Sequence, residues 1–176
     1  MRSRPPDRLT DMTPEPSFEA RASQPYVGVR RTTTMQTFPE VVDSGWPVVF
    51  GWLADHDVAW AGAPFIRYRT IDMQGELEID LAVPVAAGVG GDGEVRADEL
   101  PAGRYLVLRH VGPSAGLLDA NASLRQWAGD HDVELAMEQT GKHEEWLSRI
   151  EHYPTNPAEE PDSSKWEVVI AYLIRD

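Results

Sequence analysis

The chain contains no cysteine, which excludes a disulfide framework, thiolate catalysis and cysteine-ligated zinc or iron–sulfur sites. It is also short of positive charge. Lys and Arg number 16 against 29 Asp and Glu, a formal net charge of −13, so a phosphate backbone would be repelled and no direct nucleic-acid contact is expected. Long apolar runs are missing too. The start, MRSRPPDRLTDMTPEPS, holds no signal-like hydrophobic stretch, and no later segment approaches the roughly eighteen apolar residues of a membrane-spanning helix. No membrane partner is expected, and the default reading is a cytoplasmic protein. What is present, 176 residues of which 41% are hydrophobic and 26% charged, suffices for one compact domain, or two small fused halves, with a true core.

Pro5, Pro6, Pro14 and Pro16 among polar residues mark residues 1–17 as a disordered tail, with the folded domain running over 18–176. A second compositional break, AAGVGGDGEVRAD from Ala86 to Asp98, reads as a flexible connection whose glycine-rich centre, 88–94, separates pseudo-repeats of about 18–87 and 95–176. Its glycines do not follow either phosphate-binding spacing.

The two stretches so divided share an order. The first holds YVGVRRTTTM, an amphipathic segment, FIRYRTIDM and ELEIDLAVPV; the second holds GRYLVLRHVGP, an amphipathic segment, WLSRIEHYP and KWEVVIAYLI. Each reads as strand, helix, strand, strand. The helices rest on spacing: Val42, Trp46, Val49 and Leu53 line one face of the first, and Leu117, Ala120, Leu124 and Trp127 one face of the second. Gly45 and Pro47 predict a break or kink in the first helix, and Ser114 is placed to cap the second. The strands rest on alternation, Leu77, Ile79, Leu81, Val83 and Val85 in one half and Trp166, Val168, Ile170, Tyr172 and Ile174 in the other. The fold class is therefore α+β: tandem strand-helix-strand-strand repeats forming one antiparallel sheet, helices on one face, and a ligand cleft between the repeats.

Near-identical stretches close the two helices, WLADHDV at Trp52–Val58 and WAGDHDV at Trp127–Val133. Two carboxylates flanking a histidine can hold a metal, but at i−1 and i+1 they do not share a helix face. Both copies lie at helix exits, where His56 and His131 suit the helix dipole, so they read as duplicated terminating turns. His143 and His152 have no partner at metal spacing. His110 reads as strand structure, and neither a metal nor a cofactor is expected.

The second half resembles a known family. Glu151 and Tyr153, followed by Asn156-Pro157, Glu160-Pro161-Asp162, Trp166 and a terminal strand, are similar to the GyrI-like small-molecule-binding domains that serve as effector-binding modules of multidrug-sensing regulators. The resemblance covers roughly Phe18 to Asp176. It implies a pocket between two repeats and a buried glutamate at Glu151 facing lipophilic, aromatic, often cationic ligands. A glutamate in such a place is desolvated, and a ligand cation can offset its burial. Tyr68, Trp146, Tyr153, Trp166 and Tyr172 are the aromatic candidates for ligand binding. Family regulators carry an N-terminal DNA-binding module, whereas about seventeen polar residues precede the domain here, too few for a helix-turn-helix. The resemblance is thus to a stand-alone form.

Two function classes remain. One is a binding protein that senses or sequesters a hydrophobic or cationic small molecule and passes any signal to a separate regulatory protein partner. The other is an enzyme, since some stand-alone members resembling this chain hydrolyse the cyclopropane of DNA-alkylating antibiotics. In that reading Glu151 is the general base, and Glu78, Glu167 or Tyr68 supplies the second catalytic group.

Overall fold

The computed structural model describes residues 14–176. The expected disordered tail lies outside the described residues over 1–13, and its last position already belongs to a strand. The chain runs β1 (Ser17–Arg21), β2 (Gln24–Thr34), α1 (Phe38–Asp55), β3 (Phe65–Ile71), β4 (Glu76–Pro84), β5 (Val95–Leu100) and β6 (Gly103–Val111). It continues through α2 (Leu117–Asp130), β7 (Met137–Thr140), β8 (His143–Trp146), β9 (Arg149–His152) and β10 (Glu167–Leu173).

All strands pair antiparallel in one ten-stranded sheet of order β1-β6-β10-β9-β3-β4-β2-β5, with the β7–β8 hairpin attached through β3. The order is symmetric about the β9–β3 junction. β6, β10 and β9 of the second half mirror β2, β4 and β3 of the first, so the α+β duplicated sheet expected from the sequence is the fold. The edge strands are exchanged between halves. β1 precedes β2 but pairs with β6, and β5 precedes β6 but pairs with β2. Val95 to Asp98, read above as the end of a flexible connection, is therefore strand, because its backbone completes the open edge of β2.

Alternation assigns the two faces. Leu77, Ile79, Leu81, Val83 and Val85 from β4 and its continuation join Ile170, Tyr172 and Ile174 under the helices, where Val49, Leu53, Leu124 and Ala128 close the core. The opposite face carries Tyr26, Phe65, Ala82, Tyr105, Ile150, Ala171 and Leu173. Burying one branched aliphatic side chain contributes about 1.5–3 kcal/mol, so the paired stripes hold the helices to the sheet.

Two local expectations need correcting, and one element was not expected. α1 is continuous through Gly45 and Pro47. Pro47 faces solvent, and the packing of Val49 and Leu53 outweighs its missing N–H. Gly45 is buried directly over the sheet, where a Cβ would drive into Leu81 Cδ1. Ser114 does not cap α2. It opens a 3₁₀ turn, Ser114–Gly116, and no side chain caps the helix that follows. The β7–β8 hairpin, finally, is inserted between α2 and β9 and has no counterpart in the first half.

Both DHDV stretches are helix ends of the same construction. His56 Nδ1 lies 2.9 Å from the Trp52 carbonyl and His131 Nδ1 2.8 Å from that of Trp127. Each imidazole stacks on its tryptophan, with centroids 4.1 and 3.9 Å apart.

Candidate functional site

β9 sits where the halves meet, bonded to β10 on one side and β3 on the other. Directly opposed residues of antiparallel strands share a face. Glu151, opposite Ile66 and Ile170, therefore points to the helical face, as do Arg149 and Tyr153 two residues either side. α1 packs mainly over β2 and β4, and α2 over β6, which leaves the helical face above β9 and β3 as a seam between them.

Glu151 lies at the bottom of this seam with 4% of its surface exposed. Tyr68 is buried beside it and Tyr153 half-buried. The Tyr68 hydroxyl is in hydrogen-bonding reach of both the Glu151 carboxylate and the Tyr153 hydroxyl. Burial raises the Glu151 pKa above the usual carboxylate range; the Tyr68 hydrogen bond and the Arg149 charge oppose that rise without cancelling it. Burial, reinforced by the Glu151 charge, raises Tyr68 and Tyr153 well above the ordinary phenol value. Burial also pushes Tyr172 up to about 12.

Aromatic rings line the seam from both halves. From α1, Phe38 stacks on Tyr68 at 6.3 Å, and Trp46 meets Tyr153 edge-on at 6.4 Å. Trp46 continues outward through Phe50 at 5.3 Å to the half-exposed Trp60, which stacks on Phe50 at 5.1 Å. From the second half, Trp146 lies 5.0 Å from Tyr172. The Arg149 guanidinium sits among these rings, 4.9 Å from the centroids of Trp146 and Tyr172 and 5.6 Å from that of Tyr68. Asn121 of α2 accepts from both Tyr172 and Arg149.

Of the sequence candidates, then, Glu151, Tyr68, Tyr153, Trp146 and Tyr172 are gathered around one centre. Trp166 stands apart, half-buried at the entry to β10 with its Nε1 donating to the Glu160 carbonyl at 2.7 Å. Glu78 and Glu167 are on the other face of the sheet. Glu78 alternates against Leu77 and Ile79 and lies 4.0 Å from Arg30, and Glu167 pairs with Arg109. Sheet alternation places both carboxylates away from Glu151, so neither can act on a molecule held beside it. Phe38, Asn121 and Arg149 were not singled out in the sequence, and Trp46 was read there only as part of the apolar face of the first helix. Asn121 could have been, as a polar residue within the apolar stripe of Leu117, Leu124 and Ala128.

A separate concavity of about 390 Å³ opens on the opposite face, between Arg21, Gln24, Ala61–Ala63, Tyr105 and His152. Arg21 donates to His152 Nε2 at 3.1 Å. Burial and the adjacent Arg21 charge lower the His152 pKa to about 4.

The fold is thus a duplicated α+β sheet whose two halves meet at a buried carboxylate ringed by aromatic residues. The sequence model of the GyrI-like small molecule binding domain matches residues 14–172, and the chain belongs to that family. None of the curated proteins compared with it matches. Among solved structures, the EcmrR C-terminal domain is similar at TM-score 0.73 and 15% identity, covering 94% of this chain and 99% of that domain. The chain spans 59% of EcmrR as seen in its complex with DNA. SAV2435 bound to tetraphenylphosphonium is similar at TM-score 0.58 and 14% identity, over 92% of this chain and 94% of that one. A protein from Listeria innocua described as a hydrolase is similar at TM-score 0.60 and 10% identity, over 92% of each chain. At these identities the likenesses concern the fold.

Proposed function

We propose that the seam above β9 and β3 is the ligand site, taking a lipophilic aromatic molecule against Tyr68, Tyr153 and Trp46 with Glu151 at its floor. One observation carries this reading: a carboxylate is buried where the two helices leave the sheet, and aromatic rings from both halves converge on it. A carboxylate removed from water costs free energy unless it is partnered, and a bound molecule that engages Glu151 recovers part of that cost. The tetraphenylphosphonium held by SAV2435 is a ligand of this general size and character. The protein would sense or sequester such molecules and pass any signal to a separate protein.

The test is titration of the intrinsic tryptophan fluorescence with tetraphenylphosphonium and with neutral triphenylphosphine oxide. Saturable one-to-one binding of at least one probe, weakened tenfold or more by Tyr153→Ala and unchanged by Glu167→Gln, supports the seam. Binding insensitive to Tyr153→Ala would remove it.

A second reading, hydrolysis, is favoured by a specific feature: Tyr68 and Tyr153 supply hydroxyl groups at the base Glu151. A carboxylate with a raised pKa is a better-matched general base near neutral pH. In the opening of a cyclopropane conjugated to a carbonyl, Glu151 takes a proton from water as the water oxygen bonds to a ring carbon. The ring C–C bond breaks and its electron pair passes to the carbonyl oxygen. Tyr68 protonates that oxygen and recovers a proton from Glu151, so the net change is addition of one water. Incubation with a cyclopropane-bearing alkylating antibiotic, followed by mass spectrometry, would give multiple turnovers to a hydrated product that Glu151→Gln abolishes. Recovery of unaltered ligand leaves binding alone.

A further inference from the structure

We propose that Arg149 is the chain's own occupant of the aromatic cage and sets the charge of what the seam accepts: neutral aromatic molecules bearing a strong acceptor oxygen, in preference to lipophilic cations. This rests on the reading of the seam as the ligand site. Three faces suited to holding an organic cation, those of Trp146, Tyr172 and Tyr68, already hold the Arg149 guanidinium at 4.9, 4.9 and 5.6 Å. Attraction of a cation to a ring face falls off beyond about 6 Å, so an incoming cation must displace Arg149 or lie beside a like charge.

The charges around the seam also balance without a ligand. Glu151 is two residues from Arg149 on the same strand face, and the arginine's potential lowers the carboxylate's pKa. Glu144 is paired with Arg125 at 2.6 Å and lies 4.0 Å from Arg149. Two carboxylates thus face two guanidiniums, and a neutral guest leaves that balance intact where a cation breaks it.

What Arg149 lacks is an acceptor at Nε. Arg149 Nε is buried with no hydrogen-bond partner among the described residues, and the guanidinium's remaining contacts are Asn121 Oδ1 at 3.2 Å and the distant Glu144. A buried donor without an acceptor is costly. Tyr68, whose ring lies 5.6 Å from the guanidinium, gives its hydroxyl to Glu151 and leaves Nε unserved. A polarised oxygen, such as a carbonyl or a phosphine oxide, placed against the guanidinium would supply the acceptor that Nε lacks.

Two probes of nearly equal shape decide the matter, triphenylphosphine oxide and methyltriphenylphosphonium, with dissociation constants measured by calorimetry. The wild-type protein is expected to bind the oxide at least tenfold more tightly than the phosphonium. Arg149→Met should weaken the oxide tenfold or more and strengthen the phosphonium, reversing the order; Arg149→Gln serves if the methionine variant does not fold. A wild-type preference for the phosphonium, or a shift of both probes together on substitution, overturns the assignment of Arg149 while leaving the seam as the site. Binding of neither probe overturns the seam itself, and the proposal with it.

Discussion

Asp57 and Asp132 adopt the same left-handed backbone at the ends of α1 and α2, with φ of 52° and 54°. They are the middle of the repeated DHDV, and they explain why it repeats. A helix that must turn at once toward the next strand needs one residue at positive φ, and Asp tolerates that region better than most side chains while Gly tolerates it best. The backbone N–H groups of Val58 and Val133 then reach back to the carbonyls of Leu53 and Ala128, at 3.0 and 2.8 Å. Relieving the left-handed strain predicts that Asp57→Gly and Asp132→Gly each stabilise the protein slightly or leave it unchanged, within about 1 kcal/mol. β-Branched replacements at the same positions should lower the melting temperature. Thermal melts of the four variants check this, and loss of stability in the glycine variants would mean that the aspartates do something beyond turning the chain.

Glu151 carries a prediction with a definite sign. Its folded pKa is raised, by burial above all, so the folded state holds the proton more tightly than the unfolded state does. That contribution to stability is fully present below the unfolded pKa of about 4.3 and is lost as pH rises through the folded value. Glu151→Gln, which cannot ionise, should therefore melt higher than wild type at pH 7.5, and the advantage should shrink at pH 4. Identical melting of the two proteins across this range would show that the carboxylate is solvated.

Much of this arrangement was legible in the sequence, and the remainder was hidden for identifiable reasons. The apolar stripes of β4 and β10 and of both helices were visible as periods of 2 and 3.6, and the repeat of DHDV gave the duplication. The β7–β8 hairpin was not visible, because MEQT and HEEW carry almost no apolar alternation. β5 was hidden by the glycines before it, and its pairing with the other half is a long-range choice that no local pattern encodes. Glu78 and Glu167 were offered as catalytic partners although each alternates with core residues of its own strand, which already assigned them to the far face. Arg149 was overlooked because charge on a short strand reads as solvent-facing, whereas here it is held by the nearby Trp146 together with two rings, Tyr68 and Tyr172, from other strands.

The far face predicts a contrast in cost. Asp80, with a side chain 5% exposed, accepts from Arg30 Nε at 2.9 Å, Arg69 Nε at 2.8 Å and the Tyr26 hydroxyl at 2.8 Å. Burial alone would raise its pKa, but the hydrogen bonds from Arg30 and Arg69 lower it below the usual value. Asp80→Asn removes the charge that these guanidiniums face and should cost about 3–5 kcal/mol in urea unfolding. Glu78→Gln, removing a looser and more exposed contact to the same Arg30, should cost less than about 0.5–1 kcal/mol. Neither substitution should alter probe binding in the seam, since both residues point away from it. Comparable losses from the two would mean that the network is not centred on Asp80.

His152 gives the opposite pH limb from Glu151. Its chain neighbours Glu151 and Tyr153 point into the helical seam, while its own ring packs against Phe65 at 5.4 Å and accepts from Arg21. An imidazole that accepts from a guanidinium cannot take up a proton there without losing the bond and facing a like charge. Its folded pKa accordingly lies at about 4, against an ordinary 6.5. In the window between those values the unfolded state binds the proton and the folded state does not, so stability is whole above pH 6.5 and declines as pH falls toward 4. A shift of this size is worth up to about 3 kcal/mol. His152→Gln keeps an acceptor for Arg21 and removes the titration, so its stability relative to wild type should improve by up to that amount between pH 7 and pH 4. Chemical unfolding of the two proteins at both pH values measures the difference. Parallel pH dependences would show that His152 titrates as it does in water, and that the Arg21 bond breaks and re-forms at no cost to the fold.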